Sequence, residues 1–257
     1  MGWEHLPFKN QLKWQYPFDK VMSHFQSLRG RVGIPPEADL TTVIITIDGP
    51  AGSGKSTVAK ALAKRLGYKY IDTGAFYRAF TWKAMKSGVN MEDEAVLCRL
   101  LKETSIGLKN SEAGIRILLD NEDVSKVIRT PEVTRNIHYI AGRPALREML
   151  VEKQREAAKG VSVVAEGRDT GTVVFPKAER KFYLDAQVEE RARRRYLELF
   201  QSNKGLTYQE VVEELRKRDE RDTSREASPL KMGEDFIYLD TTGLTVDEVV
   251  EALLKKI

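Results

Sequence analysis

The chain has 257 residues, of which 41% are hydrophobic and 31% are charged, and its formal net charge is +4. This composition is typical of a globular protein with a sizeable core, and the small positive charge suits anionic substrates without requiring nucleic acid. A single cysteine and three histidines exclude an internal disulfide framework and a zinc site of ordinary spacing, and the lack of a long apolar run predicts a cytoplasmic protein without a membrane span.

Residues 1–40 are predicted to be an N-terminal extension, which ends in a linker-like Gly-Ile-Pro-Pro sequence at 33–36. Its aromatic side chains are interleaved with lysines and arginines, a pattern that suits contact with nucleic acid or a partner. The simpler alternative is an extra helix packed on the core, or a partly disordered arm. We assign no chemistry to this segment.

From residue 41 onward the pattern predicts strands that alternate with helices. Residues 43–47 form a β-branched run typical of a strand buried on both faces, and the helix that follows ends at Gly67. Further strands are predicted at residues 68–71, 161–165 and 181–184. This order predicts an α/β fold in which a parallel sheet is covered by helices on both faces.

A glycine-rich loop between the first strand and the first helix fits G-x-x-x-x-G-K-[ST]; its residues are Gly49, Pro50, Ala51, Gly52, Ser53, Gly54, Lys55 and Ser56. The glycines allow backbone N–H groups to surround a phosphate at a helix N-terminus. We predict that Lys55 contacts the β- and γ-phosphates of a nucleoside triphosphate, that Ser56 ligates Mg²⁺, and that Thr57 donates to a neighbouring phosphate. Hydrolases, switches and small-molecule kinases all share this loop.

Residues 106–119 interrupt the alternation with two short apolar runs, joined by the turn-forming residues 110–114, and predict an antiparallel hairpin. Pro131 and Pro144 then stand where two helices are expected to begin. We therefore predict a kinase-type domain, residues 41–257, with a core at 41–103 and 161–257 and an inserted lobe at about 104–160.

Two arginines follow predicted strands, at the sheet edge where ligands bind in parallel α/β folds. Arg78 ends the block 72–78, and Arg168 follows the strand predicted at 161–165. A surface ion pair would explain one such arginine. Two arginines at the edge that also holds Lys55 favour phosphate binding.

A third charged group lies at the end of a predicted helix that begins with a capping box at Thr207 and Glu210. Helical spacing puts Arg218, Asp222 and Arg225 on one face, which suits a lid over bound phosphates. A solvated run stabilised by its own ion pairs is an equally good explanation. Upstream arginines add charge to a second helix of a lid expected at about 191–226: Arg191, Arg193, Arg194 and Arg195.

Five blocks together resemble the bacterial cytidylate kinases, a branch of the nucleoside monophosphate kinases: residues 45–50, 72–78, 167–176, 218–222 and 239–242. The resemblance runs from about residue 43 to the C-terminus, and the Gly-Arg-Asp block at 167–176 is the most specific part. It implies the P-loop kinase fold, with the hairpin lobe as an enlarged monophosphate-binding insertion and a short helical lid. It also implies transfer of the ATP γ-phosphate to CMP or dCMP with Mg²⁺.

The resemblance further implies roles for individual residues. It assigns the acceptor phosphate to Arg78, Arg168 and Arg225, the sugar to Arg218 and Asp222, and the cytosine edge to Arg147 with Asp169; Thr73, Tyr77 and His138 complete the implied substrate site. Lys55, Arg168 and Arg225 are the implied catalytic residues, and adenine is expected near the loop after Leu239. The chain departs from the family pattern at His138, where serine is usual, and in residues 1–40, which have no counterpart.

Two alternatives stay open: a kinase for another small acceptor, such as UMP, AMP or shikimate, and a nucleotide-gated binding protein. The edge arginines argue against the second, because a switch needs no second anion site. We expect no obligatory general base, since CMP presents an ionised phosphate oxygen, and we expect Asp72 to matter less for rate than Lys55 or Arg168. The expected partners are ATP, CMP and dCMP, bound by a monomer that requires neither membrane nor nucleic acid.

Overall fold

A computed structural model describes residues 42–111, 114–200 and 205–257. The predicted extension at 1–40 lies outside the described residues. Within the described ranges, no helix is both long enough and apolar enough to cross a membrane.

The larger sheet has five parallel strands, β1 Ile44–Asp48, β2 Lys69–Asp72, β6 Val163–Gly167, β7 Arg180–Asp185 and β8 Ile237–Asp240. Their order across the sheet is β2-β6-β1-β7-β8. A smaller antiparallel sheet consists of β3 Ile106–Ser111, β4 Gly114–Leu119 and β5 Glu122–Asp123.

The helices are α1 Lys55–Leu66, α2 Thr73–Lys86, α3 Glu94–Glu103, α4 Pro131–Asn136, α5 His138–Ala141, α6 Pro144–Ala158, α7 Val188–Phe200, α8 Tyr208–Ser224 and α9 Val246–Leu254. A 3₁₀ turn at Val127–Arg129 and a π-helical turn at Thr170–Val174 lie between them. Several predicted end signals are confirmed: left-handed Gly67 ends α1, the Thr207 capping box begins α8, and Pro131 and Pro144 open α4 and α6.

The alternation of side chains along the buried strands divides the core into two clusters, one on each face of the parallel sheet. Ile45 and Ile47 of β1 pack with α1 and α9, whereas Val163 and Ala165 of β6 pack with α2, α3 and α6. All four side chains are fully buried. The predicted parallel sheet with helices on both faces is therefore confirmed.

The carboxyl ends of the parallel strands meet at one edge, where Asp48 lies opposite Gly167 and Asp72 lies opposite Glu166. The strand predicted at 161–165 lies two residues further on, because its pairing with β1 begins at Val163. This shift places Glu166 inside the strand and brings the two residues after Gly167 directly to the edge.

The predicted hairpin is confirmed, but its turn is shorter than expected. The β3–β4 ladder continues until Ser111 pairs with Gly114, so most of the residues predicted to turn are paired instead. Residues 112–113, which connect the strands, lie outside the described residues.

Candidate active site

One cleft at the carboxyl edge of the parallel sheet has a volume of about 910 Å³. The predicted site residues that line it are Ala51, Gly52, Ser53, Gly54, Lys55, Ser56, Thr57, Thr73, Tyr77, Arg78, His138, Arg147, Arg168, Asp169, Arg218, Asp222 and Arg225. Gly49 and Pro50 shape the same loop but are not part of the lining. The cleft therefore brings the predicted donor residues and the predicted acceptor residues together.

The loop between β1 and α1 makes a sharp turn that depends on glycine. Gly49 has a φ of 145°, and a Cβ at this position would lie 1.9 Å from the carbonyl oxygen of Leu184. Only glycine permits this close approach to β7. Helix α1 begins directly after the left-handed Gly54, so the N-terminus of the helix lines the cleft.

Lys55 is buried, and its amine is folded back onto the loop. Its Nζ donates to the carbonyl oxygen of Pro50 at 2.5 Å and to Ser53 Oγ at 3.3 Å. Burial is the main cause that lowers the pKa of Lys55 to about 7, and the positive charge of Arg168 is the second. An anion in the cleft would stabilise the ammonium form.

A hydroxyl and a carboxylate meet beside the phosphate loop. Ser56 Oγ donates to Glu166 Oε1 at 2.6 Å, and the hydroxyl of Tyr70 donates to the same oxygen at 3.1 Å. Glu166 is buried near the end of β6. The pairing of β1 with β6 thus sets an acidic oxygen next to the first turn of α1.

Asp72 has two structural tasks at the end of β2. One carboxylate oxygen caps α2 by accepting from the N–H of Ala75 at 2.9 Å, and the other accepts from Arg78 at 2.7 Å and from Arg129 at 3.1 Å. Burial raises the pKa of Asp72, but the two guanidinium groups outweigh burial, and the net shift is downward. Asp72 therefore stays ionised and orients both arginines.

Helix α8 supplies the partner of Arg168. Asp222 Oδ2 accepts from Arg168 Nε at 2.8 Å and lies 4.0 Å from Arg218 Nε. The other carboxylate oxygen, Oδ1, lies 3.9 Å from Arg225 Nη1. Of the three residues predicted to share this face, Asp222 and Arg225 have side chains that are 19% and 14% exposed, whereas that of Arg218 is 36% exposed. A solvated charge run therefore does not describe Asp222 and Arg225.

Arg225 departs from the predicted helical face. Helix α8 ends at Ser224, and Arg225 has extended backbone geometry, with its Nε donating to the carbonyl oxygen of Ser228 at 2.6 Å. Its guanidinium still joins the group, because Asp169 and Asp222 each lie 3.9 Å away.

Arg147 and Asp169 form a buried ion pair in the lining of the cleft. Arg147 Nη2 donates to Asp169 Oδ2, and Nη1 donates to the carbonyl oxygen of Ala141 at 3.0 Å. The guanidinium carbon lies 5.0 Å from the centre of the Tyr77 ring. These three contacts fix the plane of the guanidinium group.

Several buried polar atoms in this half of the cleft have no hydrogen-bond partner among the described residues: Tyr77 OH, Arg78 Nε, Arg147 Nε and Arg225 Nη2. Buried polar atoms are nearly always paired in native proteins. Their concentration in one place therefore indicates a ligand site. Burial raises the pKa of Tyr77 to about 12, so its hydroxyl stays protonated and able to donate.

Thr73 and His138 reach the cleft in different ways. Thr73 is buried, and its Oγ1 donates to the carbonyl oxygen of Glu166 at 2.8 Å. His138, at the start of α5, is exposed; its Nδ1 lies 2.7 Å from the carbonyl oxygen of Arg135, and its ring centre lies 4.2 Å from that of Tyr139. The described contacts of His138 are thus local.

Asp48 does not line the cleft, but it connects two segments that do. From the end of β1, its carboxylate accepts from the N–H groups of Thr170 and Gly171 at 2.9 and 2.7 Å. Burial raises the pKa of Asp48 to about 6, against the opposing effect of these donors. One carboxylate therefore links the strand that leads into the phosphate loop to the turn that follows Asp169.

The arginines predicted for the second lid helix behave differently from one another. Arg191 is buried and therefore adds no surface charge. Its guanidinium donates to the carbonyl oxygens of Ala186 and Ala51 at 2.9 and 3.0 Å. Arg194 donates to the carbonyl oxygen of Thr241 at 2.6 Å and fixes the loop after β8. Arg193 is exposed and pairs with Glu190.

Sequence analysis did not single out Asp48, Arg129 or Asp219, nor the contact of Glu166 with Ser56. An acidic residue at the end of a buried strand beside a phosphate loop was an available signal for Asp48. Arg129 and Asp219 carried no such signal, because they act on residues that are distant in the chain.

A phosphate loop that shares one cleft with a cluster of arginines, at the carboxyl edge of a parallel sheet, is typical of a P-loop phosphotransferase. The family model described as cytidylate kinase matches residues 45–257. The chain therefore belongs to the cytidylate kinase family, as the five sequence blocks indicated, and it is a kinase.

Individual relatives agree with this assignment. The cytidylate kinase of Caldanaerobacter subterraneus subsp. tengcongensis is 50% identical over 216 residues, which cover 84% of this chain and 95% of that protein. The cytidylate kinase of Carboxydothermus hydrogenoformans is 49% identical over 211 residues, covering 82% of this chain and 95% of that protein. The cytidylate kinase of an Exiguobacterium species is 47% identical over 209 residues, covering 81% and 93%.

Proposed function

We propose that the chain transfers the γ-phosphoryl group of ATP to CMP and dCMP, giving ADP and CDP or dCDP. One observation carries the proposal: a single cleft is lined both by the phosphate loop with Lys55 and by three guanidinium groups, those of Arg78, Arg168 and Arg225. Membership in the cytidylate kinase family supports cytidine monophosphates as acceptors.

The donor, ATP, would bind along the loop from Gly49 to Thr57. Backbone N–H groups and the start of α1 suit the β-phosphate, and Lys55 suits the β- and γ-phosphates. The adenine would lie against the loop after β8, where Thr241, Leu244 and Thr245 line the same cleft. The hydrogen bond from the Thr241 hydroxyl to the carbonyl oxygen of Ser53, at 3.2 Å, supports this position, because it holds that loop against the phosphate loop.

The acceptor phosphate would lie between Arg78, Arg168 and Arg225, with Arg218 and Asp222 near the sugar. The atoms Arg78 Nε and Arg225 Nη2, which are buried and have no hydrogen-bond partner among the described residues, support anion binding here. Arg129 adds a further guanidinium through its contact with Asp72. These cations would neutralise charge on the transferring group, and Lys55, Arg168 and Arg225 are our proposed catalytic residues.

The base site would use the fixed pair of Arg147 and Asp169, together with Thr73, Tyr77 and His138. The carboxylate can accept from the cytosine amino group, while the guanidinium donates to the carbonyl oxygen and ring nitrogen. Uracil carries an oxygen in place of that amino group, which would face the carboxylate unfavourably. This complementarity supports cytosine over uracil.

No residue of the chain needs to act as a general base. The phosphate oxygen of CMP is already ionised at neutral pH, so attack on the γ-phosphorus does not require prior proton removal. The protein's part is to align the two phosphates, to neutralise their charge and to exclude water.

Ser56 and Glu166 fit a magnesium ion that accompanies ATP. Their oxygens lie 2.6 Å apart beside the phosphate loop, and hydroxyl and carboxylate oxygens are the hard donors that Mg²⁺ prefers. When bound, the ion would offset charge on the β- and γ-phosphates. Tyr70, which donates to the same Glu166 oxygen, would hold the carboxylate in place.

We also propose that residues 104–160 serve as the monophosphate-binding lobe and that residues 191–226 serve as the lid. The contributions of Arg129 and Arg147 from the first segment, and of Arg218 and Asp222 from the second, support this division. A monomeric state and a cytoplasmic location stay predictions, as does the separate status of residues 1–40.

Steady-state kinetics with ATP and each of CMP, dCMP, UMP, AMP and shikimate tests the proposal. We expect kcat/KM for CMP and dCMP to exceed that for UMP and AMP by on the order of 10²-fold, because the mismatched bases leave buried polar groups unpaired. A higher kcat/KM for UMP, AMP or shikimate would show that the chain is a kinase for that acceptor instead. Binding of ATP without ADP formation from any acceptor would favour the nucleotide-gated binding protein.

A further inference from the structure

The two helices α7 and α8 both contact the phosphate loop at the backbone of a single residue, Ala51. Asp219 of α8 accepts from the N–H of Ala51 at 3.3 Å, and Arg191 of α7 donates to its carbonyl oxygen at 3.0 Å. Arg191 also donates to Asp219 Oδ2 at 2.5 Å. The Arg191 guanidinium, the Asp219 carboxylate and the backbone of Ala51 therefore form a closed hydrogen-bond network.

Packing reinforces this attachment. A Cβ on Gly52 would lie 3.0 Å from both the Cβ and the carbonyl oxygen of Arg191, so the loop backbone lies directly against α7. Ala51 forms a buried cluster with Ala192 of α7 and with three side chains of α8: Val211, Val212 and Leu215. Polar and apolar contacts thus connect the same three segments.

Helix α8 also contributes to the acceptor half of the cleft. Asp219 directly follows Arg218 and lies one turn before Asp222, which accepts from Arg168 at 2.8 Å. The same helical turn therefore contacts the donor loop through Asp219 and the acceptor residues through Asp222. This turn of α8 therefore provides a continuous physical connection between Ala51 and the acceptor residues.

We propose that Arg191 and Asp219 are positioning residues that couple the two substrate sites. By fixing α8 to the backbone of Ala51, they set the distance between the phosphate loop and the acceptor residues. Bound ATP orders the loop, which then lowers the free energy needed to order the acceptor residues. Each substrate therefore increases the binding affinity for the other. This inference rests on the proposed function, since it concerns the two substrates of that reaction.

A purely structural role for the pair makes a different prediction, and the chain offers a matched comparison. Arg216 and Glu189 also connect α8 to α7 by an ion pair, at 3.9 Å, but their side chains are 63% and 65% exposed and do not line the cleft. If the helix-to-helix connection were all that mattered, Arg216→Ala and Asp219→Ala would differ only in stability.

The test measures the affinity for CMP with and without a non-hydrolysable ATP analogue, by calorimetry on the full chain. Asp219→Ala removes the contacts of Asp219, and Asp219→Asn keeps an oxygen for the N–H of Ala51 but loses the charge that pairs with Arg191. The double variant Arg191→Met/Asp219→Leu replaces the partly buried pair with apolar groups and leaves no charge without its partner. Arg216→Ala is the control.

We expect the analogue to tighten CMP binding by about fivefold or more in the wild type and in Arg216→Ala, within the usual range of coupling between sites. The factor should fall below about twofold in Asp219→Ala and in the double variant, and Asp219→Asn should be intermediate. An inactive fraction of the protein does not change a ratio of affinities. Reversible unfolding would raise the ratio, because the analogue stabilises the folded state, so lost stability alone does not produce the expected fall.

A factor near one in the wild type, or an unchanged factor in the folded double variant, would overturn the inference. ADP formation from ATP and CMP by the wild type is measured in the same preparations. If the wild type fails that assay, the proposed function fails; if it passes and the coupling factors do not separate, only the positioning role fails.

Discussion

The two halves of the cleft are built by different means. The donor half is one continuous stretch, residues 49–57, in which a tight loop and a helix N-terminus arrange backbone groups. The acceptor half is assembled from side chains of separate elements: Arg78, Arg129, Arg147, Arg168, Arg218 and Arg225. Local backbone geometry sets the first half, and tertiary contacts set the second.

The acceptor half also depends on carboxylates in a way that the donor half does not. Asp72 orients Arg78, Asp169 orients Arg147, and Asp222 orients Arg168. Buried ion pairs contribute little to stability, because desolvation offsets their attraction. Their concentration around one cleft therefore indicates that the carboxylates hold the arginines ready for an anion.

The largest effect should come from the donor half. Lys55→Met removes the positive charge that the phosphate loop would place beside the transferring phosphate. We expect kcat to fall by on the order of 10³-fold. Lys64→Met is the control, because Lys64 is exposed on the same helix. Steady-state kinetics with ATP and CMP provides the measurement, and equal rates for the two variants would remove Lys55 from the mechanism.

In the acceptor half, Arg168→Ala should lower kcat by on the order of 10²-fold, because several guanidinium groups share the acceptor charge. Arg168→Lys keeps the charge but loses the geometry of the bond to Asp222, so it should recover only part of the activity. The exposed Arg193→Ala serves as the control. Full activity in Arg168→Lys would mean that charge alone matters at this position.

The same contrast explains how much the sequence revealed. The donor loop was predicted residue by residue, because its motif is contiguous and its geometry is local. Arg129 was missed, since it meets Asp72 across 57 positions of the chain, and Asp219 was missed, since it meets Ala51 across 168. Nothing in the local sequence of either residue marks such a contact.

The fold shows the same limit. Strands β1 and β6 were predicted because both faces are buried and the residues are β-branched or small. Strand β8 was not predicted, because it lies at the edge of the sheet and its residues alternate between partly buried and exposed over only four positions. Such a short alternating run resembles a loop.

Asp48, which connects the two halves, makes stability depend on pH in an unusual direction. Its folded pKa, about 6, lies above the ordinary value of 3.8, so the folded state holds the proton more tightly and stability falls as pH rises between these values. The difference in unfolding free energy, wild type minus Asp48→Asn, should fall by about 2 kcal/mol from pH 4.5 to 6.5 and then level off. Urea unfolding of both proteins measures it, and a constant difference would show that Asp48 does not titrate in this range.

Asp72→Asn should reduce activity less than Lys55→Met or Arg168→Ala does. Asparagine can still accept from Ala75 and cap α2, but it loses the charge that orients Arg78 and Arg129, so we expect about a tenfold loss in kcat/KM for CMP. Asp93→Asn is a matched control, because Asp93 caps α3 in the same way. A loss as large as that of Arg168→Ala would show that Asp72 acts directly on the substrates.

The smallest effect should come from His138, where the sequence analysis expects serine in the family. Its ring is exposed and bonds within its own segment, to Arg135, so His138→Ser should change kcat/KM for CMP and the CMP to UMP ratio by less than about threefold. Arg147→Met in the same assay should reduce that ratio, because it removes a buried donor that the base site would use. A tenfold change in the ratio for His138→Ser would instead place the imidazole against the base. In that case, discrimination between the bases would depend on an exposed side chain as well as on the buried Arg147–Asp169 pair.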